Sequence, residues 1–293
     1  MEDLQELQEL QARSDAITGP RFRMGVTAWV GVAILLFWVF IAFFGAWLSP
    51  FREMDFVSDQ SFLGPSREFL LGTDYVGRDI FSRLFWGTRL TLGMALLATL
   101  IASSLGSALG IFSAIKGGWT DMIICRVNDS LLSIPGIMMG LVVIAALGSS
   151  IPILIVTTGV VYACSVFRIA RALGMDLSVM DYVEVARARG ESLWWILWQE
   201  IFPNAAIPLV VDFGIRLAFA ILFMSSLSFL GLGVQPPYAD WGGMVRENLL
   251  GLSMGSMAPI IPALAIASLT IGLNLIVDDF IARSGQEVAK RIT

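Results

Sequence analysis

Residues 24–50 read MGVTAWVGVAILLFWVFIAFFGAWLSP, without one Asp, Glu, Lys or Arg. A helix needs about 20 apolar residues to cross a hydrocarbon core. Lipid offers no water to the backbone, and a helix pairs its N–H and C=O groups internally. The stretch is too long for the apolar region of a secretory signal and has no small-residue cleavage site. A first transmembrane helix is therefore expected over 24–49, with Trp29 and Trp47 near its two interfaces. The preceding segment, 1–23, is polar, and its first part (MEDLQELQELQARSDA) is acidic. Leu4, Leu7 and Gln11 suggest a short amphipathic helix there.

Five further runs have the length and apolarity of a span. They cover about Leu90–Ile115, Ser130–Leu147, Ile151–Phe167, Ala205–Leu230 and Ala258–Val277. The linker Gly148-Ser149-Ser150 is so short that the third and fourth spans form a tight antiparallel pair. The second span carries Ala98, Ala102, Gly106 and Gly110 at four-residue steps, a small-residue stripe that lets helices approach closely in lipid. The expected fold is all-α, with six transmembrane helices. A loop over 50–88 separates the first helix from a core domain over 89–281, and a tail covers 282–293.

Lys and Arg set the orientation. With the N-terminus inside, twelve of the nineteen basic residues lie in cytoplasmic segments, six lie outside, and Arg216 falls within the fifth span. Both termini are then cytoplasmic, and the loop over 50–88 is periplasmic or external.

Composition supports a lipid-embedded protein and narrows its chemistry. Apolar residues make up 56% of the chain, and charged residues 15%, against roughly 25% in a soluble domain. Mean hydropathy is +0.77. The net charge is −5 and the basic residues form no tract, which argues against nucleic acid as a partner. There is no histidine, hence neither the commonest metal ligand nor the commonest general base. Cys125 and Cys164 each lie in an apolar run and do not make a disulfide framework. No G-x-x-x-x-G-K-[ST], G-x-S-x-G, H-E-x-x-H or C-x-x-C occurs, so nothing in the chain reads as an active site or as a phosphate-cradling loop.

The segment between the fourth and fifth spans, about 172–204, is long for a connection. It reads DYVEVARARG (181–190), then ESLWWILWQEIFPN (191–204): helix, glycine break, helix, with Pro203 opening the next span. Trp194, Trp195 and Trp198 on its second helix need a covering surface, either a partner protein or the membrane interface.

Glu184-Val185-Ala186, Gly190 and Pro203 resemble the EAA loop of ATP-binding-cassette importer permeases, with Val185 where the pattern has Ala. Three other segments are similar to the C-type permease of oligopeptide and dipeptide importers. They are Leu71-Gly72-Thr73-Asp74 with Gly77-Arg78-Asp79 and Ser82-Arg83; Arg126-Val127-Asn128-Asp129 with Pro135; and Leu227 to Pro237 followed by Asp240-Trp241-Gly242. The likeness runs from about 25 to 280. Three departures are Glu200 where relatives commonly have His, Val277 for Gly, and the missing R-D-x-x-D-P tail.

The resemblance implies the type I ABC importer permease fold in a bacterial inner membrane, and a transport subunit without enzymatic activity. It implies as partners a second homologous permease, two ABC ATPases carrying ATP and Mg, and an extracytoplasmic solute-binding protein. Glu184, Ala186, Gly190 and Pro203 would couple to the ATPase. Gln235, Pro236, Pro237 and Trp241 would form the external gate or contact the binding protein, although Trp241 also fits an interface anchor. The solute would be a short peptide, with nickel chelates, sugars or another small solute as the alternative. A stand-alone secondary transporter competes with this reading, but no matched pair of broken helices supports it. A membrane-embedded enzyme would need a catalytic pair inside a span.

The resemblance does not explain Asp212 and Arg216. They stand four apart in the fifth span and share a helix face. At about 1.5 Å per residue, Arg216 lies near the bilayer midplane, where a lone charge is costly. The pair either lines a translocation path or neutralises itself within the bundle.

Overall fold

The computed structural model describes residues 25–292, with side chains to residue 283. The suggested N-terminal amphipathic helix lies outside the described residues. Among the described residues, five helical bodies are long and apolar enough to cross a membrane. They are α1 (Val26–Leu48), α2 (Ile80–Lys116), α5 (Ile151–Ser178), the continuous body of α7 (Leu193–Trp195) with α8 (Phe202–Phe229), and α10 (Ile260–Ile292). A π-helical stretch, Ile196–Ile201, joins α7 to α8.

The third expected span differs from its reading as one helix. Only its part from Gly136 on is one helix, α4 (Gly136–Leu147); its first residues, 130–132, end a separate helix, α3 (Gly118–Leu132), which fills the expected connection and is set at 84° to α4. Pro135 lacks an N–H and biases Ile134 away from helical backbone, which stops α3 at Ser133. The pair is one broken span or a re-entrant turn.

Two helices overrun their expected ends. α2 starts at Ile80 rather than near Leu90 because Asp79 caps it, its Oδ2 accepting from the Ser82 N–H at 2.8 Å and the Ser82 hydroxyl at 2.6 Å. Its 37 residues span about 55 Å, well beyond a ~30 Å hydrocarbon core. α5 runs on to Ser178 instead of Phe167, which carries Arg168 and Arg171 beyond its apolar part.

The most extensive interface joins α2 to α5. Ala98 and Ala102 are buried there. A Cβ on Gly106 would lie 2.6 Å from Val166 Cβ, and one on Gly110 would lie 2.6 Å from the Phe167 carbonyl oxygen. The small-residue stripe thus packs tightly inside the bundle. α1 lies on the periphery: only 22% of its apolar window is buried, against 39–44% in the other spans. It packs on α10, where a Cβ at Gly31 would meet the Gly272 carbonyl at 2.5 Å, and the Trp38 indole donates to Ser268 Oγ at 2.9 Å.

The Gly25 N–H donates to Asp279 Oδ1 at 3.3 Å, so the start of α1 and the later part of α10 lie together. That side of the bundle is called the terminal end. The opposite side, where Ser49 meets Ser82, is the loop end.

Candidate coupling and translocation sites

At the terminal end, α6 (Asp181–Ala188) and α7 form an elbow. α6 buries Val183 and Ala186 completely, on a floor that includes Ile111 of α2, Ala170 of α5, Ile201 and Ala205. Glu184 faces out and forms no ion pair among the described residues. The helix ends in a Schellman turn: the Gly190 N–H donates to the Arg187 carbonyl at 3.0 Å and the Glu191 N–H to the Ala186 carbonyl at 3.2 Å. Gly190 adopts φ +78°, and a Cβ built there would meet nothing within 4 Å. The demand for glycine is conformational rather than spatial. Ser192 caps the next helix, its Oγ accepting the Trp195 N–H at 3.2 Å.

The three tryptophans do not form one patch. Trp195 lies under Arg189, whose guanidinium carbon is 5.4 Å from the ring centroid. Trp194 and Trp198 stay exposed and border an apolar groove of about 870 Å³ against Ser103, Ser107 and Phe112 of α2. Val179, Tyr182 and Val185 make a separate exposed apolar face on and just before α6. Pro203 stands in the first turn of α8 and is exposed. It has no N–H to return to an earlier carbonyl, which fits the looser π-helical winding just before it.

At the loop end, the segment before α2 is clamped to α9 (Trp241–Glu247). Asp74 Oδ2 accepts from Arg78 Nε at 2.7 Å and from Arg83 Nη1 at 2.6 Å. The same two arginines reach Glu247 Oε2, at 3.1 and 2.9 Å. Asp74 Oδ1 accepts the backbone N–H groups of Val76 and Arg78. Asn248 Oδ1 takes the Tyr75 N–H at 3.0 Å. Asp74 is 1% exposed and Arg83 2%, while the Glu247 side chain keeps 20% of its surface exposed; two carboxylates and two guanidinium groups compensate one another at the edge of the interior.

Gln235, Pro236, Pro237 and Tyr238 lie exposed in the loop that leads into α9. Gln235 Nε2 donates to the carbonyls of Gly231 and Gly233 at 3.2 and 3.0 Å, which fixes the start of the loop. Trp241 is fully buried. Its indole N–H donates to the Leu84 carbonyl at 3.1 Å, and its ring meets Trp38 edge-on at 4.7 Å.

Within α8, Arg216 donates to Asp212 Oδ1 at 3.1 Å. Asp212 is 4% exposed, and its Oδ2 is buried without a hydrogen-bond partner among the described residues. A cavity of about 360 Å³ opens at the α3–α4 break, lined by Pro135, Gly136, Tyr162, Ser165 and Phe223 among others. Tyr162 donates its hydroxyl to the Phe219 carbonyl at 3.1 Å.

Residues 106–290 match the model of the binding-protein-dependent transport system inner membrane component. This chain belongs to that family. Residues 17–65 also match the N-terminal transmembrane domain of oligopeptide transport permease C. Among curated relatives, the glutathione transport system permease protein GsiD of Pectobacterium atrosepticum is 35% identical over 257 residues, covering 87% of this chain and 85% of the relative. The proteins of the same name from Escherichia coli O157:H7 and Shigella sonnei are each 34% identical over 259 residues, covering 88% and 86%. The chain is therefore an ABC permease, a multi-pass transport subunit of the inner membrane.

This identity sets the sequence expectations against the geometry of the permease. Glu184, Ala186 and Gly190 come together at one elbow, with divided tasks: Ala186 supports the elbow from below while Glu184 faces out. Pro203 stands beyond it, in the first turn of α8. Trp241 requires a correction. It offers no surface to a binding protein or to the membrane interface, because its ring fills the junction of α1, α2 and α9. Asp212 and Arg216 do pair, yet neither is among the residues lining the cavity at the break. The clamp was missed. Its residues stood in the quoted motifs, but the partner Glu247 lies 164 residues from Arg83 and carries no local signal.

Proposed function

We propose that this permease pairs with a second, homologous permease, that the pair works with two ABC ATPases, and that one of the two docks on this chain's elbow. Its terminal end faces the cytoplasm, in keeping with the twelve-to-six distribution of basic residues. The carrying observation is the elbow: an α6–α7 turn fixed by Gly190, with a buried floor and an exposed apolar face at Val179, Tyr182 and Val185. Such a face calls for a protein partner. ATP and Mg belong to those partners, since this chain has no phosphate-binding loop.

In this reading, closure of the ATPases pushes the elbow. The push reaches α5 and α8 through the floor around Ala186, and the passage between the two permeases changes the side to which it opens. An external binding protein delivers solute near Gln235–Tyr238. Asp212 and Arg216 are candidates for the passage wall, since the buried, unpartnered Oδ2 of Asp212 could accept from a second permease or from a solute. The solute is a short peptide of the glutathione class, the cargo named for the relatives at 34–35% identity. Nickel chelates and sugars are the alternatives.

The assembled importer in proteoliposomes tests this. Labelled glutathione or dipeptides should accumulate with ATP and binding protein, and this chain alone should hydrolyse no ATP. Sustained hydrolysis by the purified chain would overturn the subunit assignment, and exclusive uptake of a nickel chelate or sugar would overturn the solute class.

A further inference from the structure

α3 is held to the bundle differently from the other helices. Asn128 is its only buried residue. At one end stand Gly117 and Gly118, with φ +61° and +58°, and a Cβ on either would meet nothing within 4 Å. At the other end is the 84° break before α4. The helix is thus a stiff rod of 15 residues between a glycine joint and a proline joint. One polar knot ties it down. Arg171 of α5 grips Asp121 of α3 with both arms of its guanidinium, Nε to Oδ1 at 2.6 Å and Nη2 to Oδ2 at 2.5 Å. Ser113 of α2 donates its hydroxyl to the same carboxylate at 2.5 Å, and Cys125 Sγ approaches at 3.5 Å. The fork geometry fixes direction as well as distance.

Arg171 stands two helical turns before the end of α5 at Ser178, and only Val179 and Met180 separate that end from α6. The joint is short and hydrogen-bonded: the Met180 N–H donates to the Leu177 carbonyl and the Val183 N–H to the Met180 carbonyl. A displacement of the elbow therefore moves the end of α5, and with it Arg171. Beyond the far end of α3 lies the cavity lined by Pro135, Tyr162 and Phe223.

We propose that the Arg171–Asp121 pair is the tie through which the coupling elbow swings α3 as a lever about Gly117-Gly118 and so reshapes the cavity at the α3–α4 break. Arg171 and Asp121 are positioning residues; they touch neither nucleotide nor solute. The inference rests on the elbow being the ATPase seat.

The test uses the complete importer in proteoliposomes and reads solute taken up per ATP hydrolysed. Arg171→Ala and Asp121→Asn should each lower that ratio about tenfold, in the range of ordinary coupling energies, while binding-protein-stimulated hydrolysis changes less than about twofold. Asp121→Asn keeps the shape and one carbonyl acceptor, so it guards against simple misfolding. The exchange Asp121→Arg with Arg171→Asp should recover at least half of the ratio. An unchanged ratio in both single variants overturns the proposal. So does a parallel fall of uptake and hydrolysis in both, which marks a merely structural pair. Failure of the underlying reading looks different: ATPase subunits would then not co-purify with the unaltered permease through the elbow.

Discussion

The loop end and the terminal end of this permease are built on opposite principles. The loop end is closed on itself: Asp74, Arg78 and Arg83 are buried and pair with one another and with a partly exposed Glu247, and Trp241 fills the space beneath. The terminal end is left open. Glu184 and Trp194 face outward, Gly190 has empty space around it, and Arg171 with Asp121 is partly exposed. A finished surface suits a fixed seat, and an unfinished one suits a contact that forms and breaks. The contrast is one of desolvation. A buried charge network is costly to disturb, whereas a partly exposed pair contributes less to stability and is freer to serve motion.

The contrast breaks first, if it breaks, at Arg83. Arg83→Ala would strand Asp74 and Glu247 with one guanidinium between them, and should cost about 3–5 kcal/mol. Most of the protein should be lost from the membrane, or its thermal unfolding midpoint should fall sharply. Near-normal abundance and midpoint would show that the clamp is not what closes the loop end.

Gly190→Val should abolish uptake through the opposite route. A β-branched residue is disfavoured at φ +78° by about 1–2 kcal/mol, yet nothing around it clashes. Folding and insertion should persist while the elbow is redirected, so co-purification of the ATPases should fall with uptake. Normal uptake would reduce Gly190 to a convenient turn.

How much of this the sequence displays depends on distance along the chain. Spans are legible because charge-free runs are local. The elbow is legible because its glycine, caps and proline lie within about 20 residues. The break at Pro135 was within reach, since proline inside an apolar run is a local signal; the apolar character of Gly136–Leu147 masked it. The clamp and the burial of Trp241 were not legible. Trp241 follows two prolines and an aspartate and looks like surface loop, and only the arrival of Trp38 and Leu84 from distant helices turns it inward.

Smaller effects sharpen the same comparison. A cysteine in place of Tyr238, which is 51% exposed, should react with an impermeant thiol reagent applied outside, whereas one in place of Ala239, 1% exposed, should stay silent. Labelling of Tyr238→Cys only after permeabilisation would invert the assigned orientation. In α8, the exchange Asp212→Arg with Arg216→Asp should restore the membrane abundance lost in each single change, because the i,i+4 pairing survives reversal. If uptake recovers with it, the pair is structural. If solute preference stays altered, it lines the passage. Normal transport by both single alanine variants would remove both roles.

The length of α2 has one more consequence. Arg83, inside the clamp, and Ile111, in the floor of the elbow, lie on the same unbroken helix, about 42 Å apart at 1.5 Å per residue. Over that lever arm a tilt of about 5° shifts one end by roughly 4 Å relative to the other, with no side chain changing rotamer. Whatever sits at the loop end and whatever sits under the elbow are then joined by a single pointer. By thermodynamic reciprocity such a pointer reads in both directions. If bound nucleotide alters the grip on a binding protein outside, a docked binding protein must alter the grip on nucleotide by the same factor.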